Sequence, residues 1–130
     1  MSLHKLTVLI VDDNSSDRVI AKAMLVKLGI QNVQEAEDGK IAENKILTAV
    51  EIGKPFDVIL VDWKMPRGDG IALLKIIRSH HKTKATKVIL MTGMAEQNVV
   101  IEAKQSGVDD FLVKPLEFEQ VELKIKKLLK

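Results

Sequence analysis

Five polar residues stand directly after short apolar runs, and their types point to one chemistry. Asp12 and Asp13 follow TVLIV at 7–11, Asp62 follows VILV at 58–61, Thr92 follows VILM at 88–91, and Lys114 follows DFLV at 110–113. Singly, each has an ordinary structural use: an aspartate after a strand caps a helix or forms a turn, and a lone threonine or lysine there is mostly surface. Jointly, they would bring three carboxylates, a hydroxyl and an ammonium to one place if the apolar runs lie side by side. Three converging carboxylates repel by a few kcal/mol per close pair at an effective dielectric of about 20, so the arrangement needs a counter-charge. Lys114 supplies part of it and a divalent cation can supply the rest. An all-oxygen donor set of Asp12, Asp13 and Asp62, without His or Cys, selects Mg²⁺ or a similar ion such as Mn²⁺. With the charge offset, Asp62 can act as a carboxylate nucleophile on phosphorus. The metal and Lys114 would neutralise charge on the transferring oxygens, and Thr92 can donate its hydroxyl to one of them.

These residues meet only if the runs are neighbouring strands. Five units of a short β-branched run followed by a helical pattern are readable. Strands are expected at 7–11, 32–36, 57–61, 88–91 and 110–113. Asn14 or Ser15 can cap a first helix whose stripe is Val19, Ile20, Ala23, Met24 and Leu28, ending at Gly29. A second helix runs 39–51 with Ile41, Ile46, Leu47 and Val50 inward, and Gly53 to Pro55 as its stop. Pro66, Gly68 and Gly70 mark a turn-rich loop before a third helix carrying Leu73, Leu74, Ile76 and Ile77; HHKTKATK is a polar connector; the last helices are expected at 95–106 and 116–129. Strict alternation predicts an α/β fold, a parallel sheet with helices on both faces joined by right-handed crossovers. In such sheets function gathers beyond the carboxyl ends of the strands, where the five polar residues stand.

Bulk properties narrow the field. A chain of 130 residues fits one domain, 1–130, and 46% hydrophobic with 29% charged residues describes a globular core. A net charge of +2 does not suggest a phosphate-backbone binder, so no direct nucleic-acid contact is expected. The absence of cysteine excludes disulfides and thiolate sites and fits a reducing compartment, with the cytoplasm as default. No apolar run reaches the roughly 20 residues of a membrane helix, and the start MSLHKL lacks a signal-peptide core. Neither membrane insertion nor export is expected.

VLIVDDN at 8–14, VILVDWKMPRGDG at 58–70, VILMTG at 88–93 and GVDDFLVKP at 107–115 resemble, in the same order, the receiver domain of two-component response regulators, in size the stand-alone chemotaxis (CheY-like) type. The resemblance implies a flavodoxin-like (βα)5 three-layer sandwich with strand order 2-1-3-4-5, an order that alternation alone does not supply and that is well known for this family. It implies that Asp62 becomes a 4-aspartylphosphate, taking a phosphoryl group from a sensor histidine kinase, a histidine phosphotransfer protein or a small phosphodonor. Asp12, Asp13, Asp62 and the backbone carbonyl of Lys64 would surround Mg²⁺, Lys114 would contact the phosphoryl group, and the Lys114-Pro115 bond would be cis. Thr92 and the strand-five aromatic, here Phe111, would form the switch that alters the surface of helix four, strand five and helix five, where a downstream protein target binds. Lys64 and Met94, each two residues past a site residue, would tune the lifetime of the phosphoryl group. Trp63 beside the site would report on metal or phosphate. His4, His80 and His81 read as solvated surface, and the lysines at 124, 126, 127 and 130 as complements to the last helix's dipole.

The expected role is a phosphorylation-dependent switch that catalyses only its own phosphorylation and dephosphorylation. Alternatives are a pseudo-receiver that binds a partner without phosphorylation and a receiver fragment of a larger hybrid kinase or regulator. An aspartate-based phosphatase would place an acid/base Asp two residues after the nucleophile, where Lys64 stands; a flavin carrier would want a Ser/Thr-rich phosphate loop after strand one, where Asp12-Asp13 would repel it. The last helix lacks the arginines common in receivers that dimerise before DNA-binding domains, which argues against that route, and a monomer or weak phosphorylation-dependent dimer is expected.

Overall fold

The computed structural model describes residues 2–65, 70–93 and 97–129, with the side chains of Gln97 and Asn98 excepted. After a short 3-10 turn, five strands alternate with five helices: β1 Thr7–Val11, α1 Ser15–Lys27, β2 Asn32–Ala36, α2 Gly39–Glu51, β3 Val58–Asp62, α3 Gly70–Ser79, β4 Lys87–Thr92, α4 Gln97–Gln105, β5 Asp110–Val113 and α5 Phe118–Leu128. The strands form one parallel sheet of order β2-β1-β3-β4-β5, so the fold is flavodoxin-like as expected. No helix among the described residues is long and apolar enough to cross a membrane.

The sheet divides the core into two layers. Leu9, Val11, Ile59, Val61, Val88 and Leu90 point to one face and meet Ala42, Ile46, Leu73, Leu74, Ile77 and Ala103 of α2, α3 and α4. Val8, Ile10, Leu60, Ile89, Met91 and Leu112 point to the other and meet Ala21, Leu25, Val121 and Ile125 of α1 and α5. β3 is buried along its whole length, which is why its sequence is apolar without alternation. Each large aliphatic side chain buried here contributes roughly 1.5–3 kcal/mol.

Helix faces are where the sequence expectations need correction. On α1, Val19 and Ile20 are 65% and 48% exposed and Ala23 is exposed too; the buried residues are Ala21 and Leu25, with Met24 and Leu28 partly covered. Apolar and polar residues are interspersed around this helix, so periodicity cannot choose its face. Polar anchors choose it instead: Arg18 Nη1 donates to the Asp12 carbonyl at 2.7 Å and Asp17 pairs with Lys114, and Ala21, Leu25 and Leu28 follow Asp17 on the same stripe. On α2, Ile46 is buried, but Ile41, Leu47 and Val50 are only partly so, and the fully inward positions are Ala42 and Ala49, whose small side chains let the helix sit close to the sheet. On α3, Leu73, Leu74 and Ile77 are buried while Ile76 is exposed.

Boundaries moved less. Asn14 caps α1 by accepting from the Asp17 N–H, and Asp38 caps α2 by accepting from the Ile41 N–H. Gly29 and Gly53 follow those helices at φ 97° and 76°, where an L side chain would be strained. β3 begins one residue later than expected, although Asp57 still bonds both neighbouring strands: its N–H donates to the Thr7 carbonyl at 2.8 Å, its carbonyl accepts from the Lys87 N–H at 3.2 Å, and its carboxylate accepts from the Thr7 N–H at 2.9 Å. α5 starts at Phe118, two residues after the expected Leu116, with Glu117 as its extended N-cap. Pro66, Gly68 and the first residues expected in α4 lie outside the described residues.

Candidate functional site

Parallel order sets the site. β1, β3, β4 and β5 are neighbours and end at the same edge, so their carboxyl ends deliver Asp12, Asp62, Thr92 and Lys114 to one place. Asp12 continues the ladder, its N–H donating to the Ala36 carbonyl at 3.1 Å. Asp62 is the last residue of β3 and Thr92 the last of β4; both are buried. Lys114 stands one residue past β5, its N–H donating to the Thr92 carbonyl at 2.8 Å, and its bond to Pro115 is cis.

Asp12, Asp13 and Asp62 each offer a carboxylate oxygen within 4.8 Å of the others. Asp12 and Asp62 are sunk in the edge and Asp13 faces solvent. The Lys114 ammonium lies 2.6 Å from Asp12 Oδ2, 3.0 Å from Asp17 Oδ2 and 3.7 Å from Asp62 Oδ1. It donates hydrogen bonds to Asp12 and Asp17, while Asp62 is close enough to feel its charge only. Burial is the largest influence on Asp62 and pushes its carboxyl up; Lys114 pulls it down, Asp12 pushes up, a backbone hydrogen bond from Lys64 pulls down and Asp13 pushes up, and the pKa ends raised to about 6. For Lys114 burial works against the ammonium, but hydrogen bonds to Asp12 and Asp17 and the field of Asp62 outweigh it, so the pKa lies above the usual lysine value.

The electrostatic balance fits a hard cation. Asp12, Asp17 and Asp62 share one ammonium, Asp13 adds a further negative charge beside them, and Asp62 keeps an elevated pKa in spite of Lys114. Asp12, Asp13 and Asp62 can each give one oxygen to a common ion, a donor set suited to Mg²⁺.

The remaining expected residues are placed less centrally. Lys64 is exposed, but its backbone bonds the Asp62 carboxylate. Phe111 is half-buried against the core layer under α2 to α4. Trp63 is also half-buried, its N–H donating to the Met91 carbonyl at 3.1 Å. Met94 lies outside the described residues. His80 and His81 stack on each other with centroids 5.1 Å apart, and His4 bonds Ser2; none reaches the site. Lys124 is turned inward to Asp110 at 3.2 Å and to the Phe111 carbonyl, in place of the plain dipole role expected of it.

Three contributors escaped sequence reasoning. Asp17 shares the Lys114 ammonium, although an acidic residue in a first helical turn reads only as a dipole complement. Arg18 bonds the Asp12 carbonyl and pairs with Glu35 at 3.1 Å, bracing the acidic turn. Gly70 packs where a Cβ would lie 2.6 Å from Trp63 Cα and 2.7 Å from the Asp62 carbonyl oxygen, so only glycine fits at the start of α3 against the end of β3. A usable signal existed for Asp17 alone: the first turn of a helix that follows β1 must face the strand ends.

Comparison with known proteins agrees with this geometry. The family model of the response regulator receiver domain matches residues 8–126. Chemotaxis protein CheY-3 of Vibrio cholerae is 41% identical over 123 residues, covering 93% of this chain and 89% of that protein. The structure of chemotaxis protein CheY4 of Vibrio cholerae superposes with a TM-score of 0.86 at 30% identity, over 95% of this chain and 98% of that one. CheY in the CheX-CheY-BeF3-Mg²⁺ complex of Borrelia burgdorferi gives a TM-score of 0.84 at 25% identity, over 96% and 90%. With fold, strand-end constellation and sequence in agreement, the chain belongs to the response regulator receiver domain family of two-component signalling, in its CheY-like form.

Proposed function

We propose that Asp62 is the phosphoryl acceptor of this receiver, and that its phosphorylation is the signal. One observation carries the reading: a buried carboxylate at the end of β3 lies 3.7 Å from the Lys114 ammonium and within 4.8 Å of two further aspartates. In the forward step an Asp62 carboxylate oxygen attacks phosphorus. The P–N bond of a donor phosphohistidine breaks, its electron pair stays on the imidazole nitrogen, and an acyl phosphate forms. With a small donor such as acetyl phosphate, the P–O bond breaks and acetate leaves. In dephosphorylation water attacks phosphorus, the P–O bond to Asp62 breaks, Asp62 leaves as carboxylate, and inorganic phosphate and a proton are released.

Asp12, Asp13, Asp62 and the Lys64 carbonyl would hold Mg²⁺, which when bound supplies neutralisation of the charge on the transferring oxygens. The chain's own residues do the rest. Lys114 positions and neutralises the phosphoryl group, Thr92 donates its hydroxyl to it, and burial at the sheet edge limits the approach of water. Lys64 and Met94 would tune hydrolysis.

Phe111 relays the change to the surface of α4, β5 and α5. That face carries Ile101, Val113 and Leu123 exposed, which suits a downstream protein target. The donor would be a sensor histidine kinase or histidine phosphotransfer protein. Intact-mass spectrometry with acetyl phosphate and Mg²⁺ tests the centre of this reading: wild type gains one phosphoryl group and Asp62→Asn gains none. A gain that survives the substitution, or no gain in wild type, refutes it.

A further inference from the structure

Asp17 is the one carboxylate around Lys114 with no part in holding a metal or taking a phosphoryl group. It occupies the third residue of α1, counted from the Asn14 cap, where an acidic side chain ordinarily reaches back to the N-cap N–H. Here that N–H is already taken: Asn14 N–H donates to Asp12 Oδ1 at 3.0 Å. The Asp17 carboxylate is thereby released from capping and instead accepts from Lys114 at 3.0 Å, a contact spanning 97 residues of sequence. Two of the three ammonium donors are then spent on Asp12 and Asp17, and Asp62 Oδ1, at 3.7 Å, receives none.

We propose that Asp17 is a positioning residue that holds the Lys114 ammonium on the α1 side of the site and so opposes phosphorylation of Asp62. This rests on the reading of Asp62 as phosphoryl acceptor. Two effects act in the same direction. A phosphoryl group on Asp62 must win Lys114 from a carboxylate that already holds it. It also grows into the field of Asp17, since Asp17 and Asp62 oxygens lie 3.0 and 3.7 Å from the same nitrogen. Asp17 is about 40% exposed, so water screens the pair and its effect is moderate.

The test compares wild type, Asp17→Asn and Asp17→Glu at sub-saturating acetyl phosphate with Mg²⁺, reading the ratio of phosphorylated to unphosphorylated protein by intact mass. Asp17→Asn keeps the shape and removes the charge; the ratio rises about fivefold, as expected for loss of a half-exposed ion pair, and Asp17→Glu brings it back toward wild type. A ratio that is unchanged or lower in Asp17→Asn overturns the proposal while leaving Asp62 as acceptor. A wild type that takes no phosphoryl group refutes the acceptor reading and the proposal with it, so the two failures are distinct. A second measurement needs no phosphate: in ¹⁵N NMR the Lys114 ammonium protons exchange with water several-fold faster in Asp17→Asn, and unchanged exchange refutes the grip itself. A purely structural Asp17 would lower the urea midpoint without raising the phosphorylated ratio.

Discussion

The buried charge of Asp62 makes a quantitative prediction about stability. In the metal-free protein its pKa of about 6 lies above the 3.8 of an ordinary carboxyl, so the folded state binds this proton more tightly than the unfolded chain does. The ionised group therefore costs stability at neutral pH, and the cost disappears as pH falls from about 6 to below 3.8. A shift of roughly two units corresponds to about 3 kcal/mol at pH 7. That is a large share of the 5–15 kcal/mol typical of a domain. Replacing Asp62 by Asn removes the charge and keeps the volume. Urea unfolding in EDTA is expected to show Asp62→Asn more stable than wild type by up to about 3 kcal/mol at pH 7, equivalent to roughly 10 °C in Tm. The gap between the two curves shrinks as pH falls through about 6 and closes only below 3.8, where the wild-type carboxyl is protonated in both states. An Asn variant that is equal or less stable at pH 7, or a difference that does not shrink between pH 6 and 4, would refute the idea of an under-compensated carboxylate poised for a cation.

Other perturbations address separate parts of the site. Mg²⁺ at 100 times its Kd is expected to stabilise wild type by about 2.7 kcal/mol and to change Trp63 fluorescence; Asp13→Asn, at an exposed ligand position, should weaken both effects, and an unaltered titration would remove Asp13 from the metal site. Gly70→Ala places a Cβ 2.6 Å from the Trp63 backbone and is expected to cost about 1–3 kcal/mol by urea midpoint; full stability would show that the start of α3 has room for a methyl group. Lys64→Ala should change the half-life of the aspartyl phosphate after donor removal, and an identical half-life excludes it from tuning. The Phe111 ring should change rotamer population by NMR on addition of beryllofluoride and Mg²⁺; an unchanged distribution means it is an ordinary core residue.

The sequence alone was enough for the sheet and for most of the centre. Strands such as β1 and β3 are short runs rich in Val and Ile, and their order of appearance, each followed by a helix, dictates a parallel sheet. The five polar residues at strand ends were legible for the same reason: a strand is a straight element, and the residue after its last apolar position must emerge at the edge. Strand order was legible only through family resemblance, because alternation fits several orders and the chain carries no local signal that β1 lies between β2 and β3.

Tertiary structure decided what depends on rotation and on distance across the fold. α1 intersperses apolar and polar residues around its circumference, so its sequence leaves the buried face open; with Arg18 and Asp17 tied to Asp12 and Lys114, Ala21 and Leu25 face the sheet and Val19 and Ile20 face water. The sharing of one ammonium among three carboxylates belongs to the same class. Asp12, Asp17, Asp62 and Lys114 are identifiable as charges in the chain, but which of them is satisfied first depends on ångström differences that appear only once β1, β3, β5 and α1 are packed together. The sequence by itself determined that Asp12, Asp13, Asp62 and Lys114 reach the sheet edge, because strand ends fix position to within a residue. Packing alone decided which charge holds Lys114, because hydrogen bonding distinguishes 3.0 from 3.7 Å and sequence spacing does not.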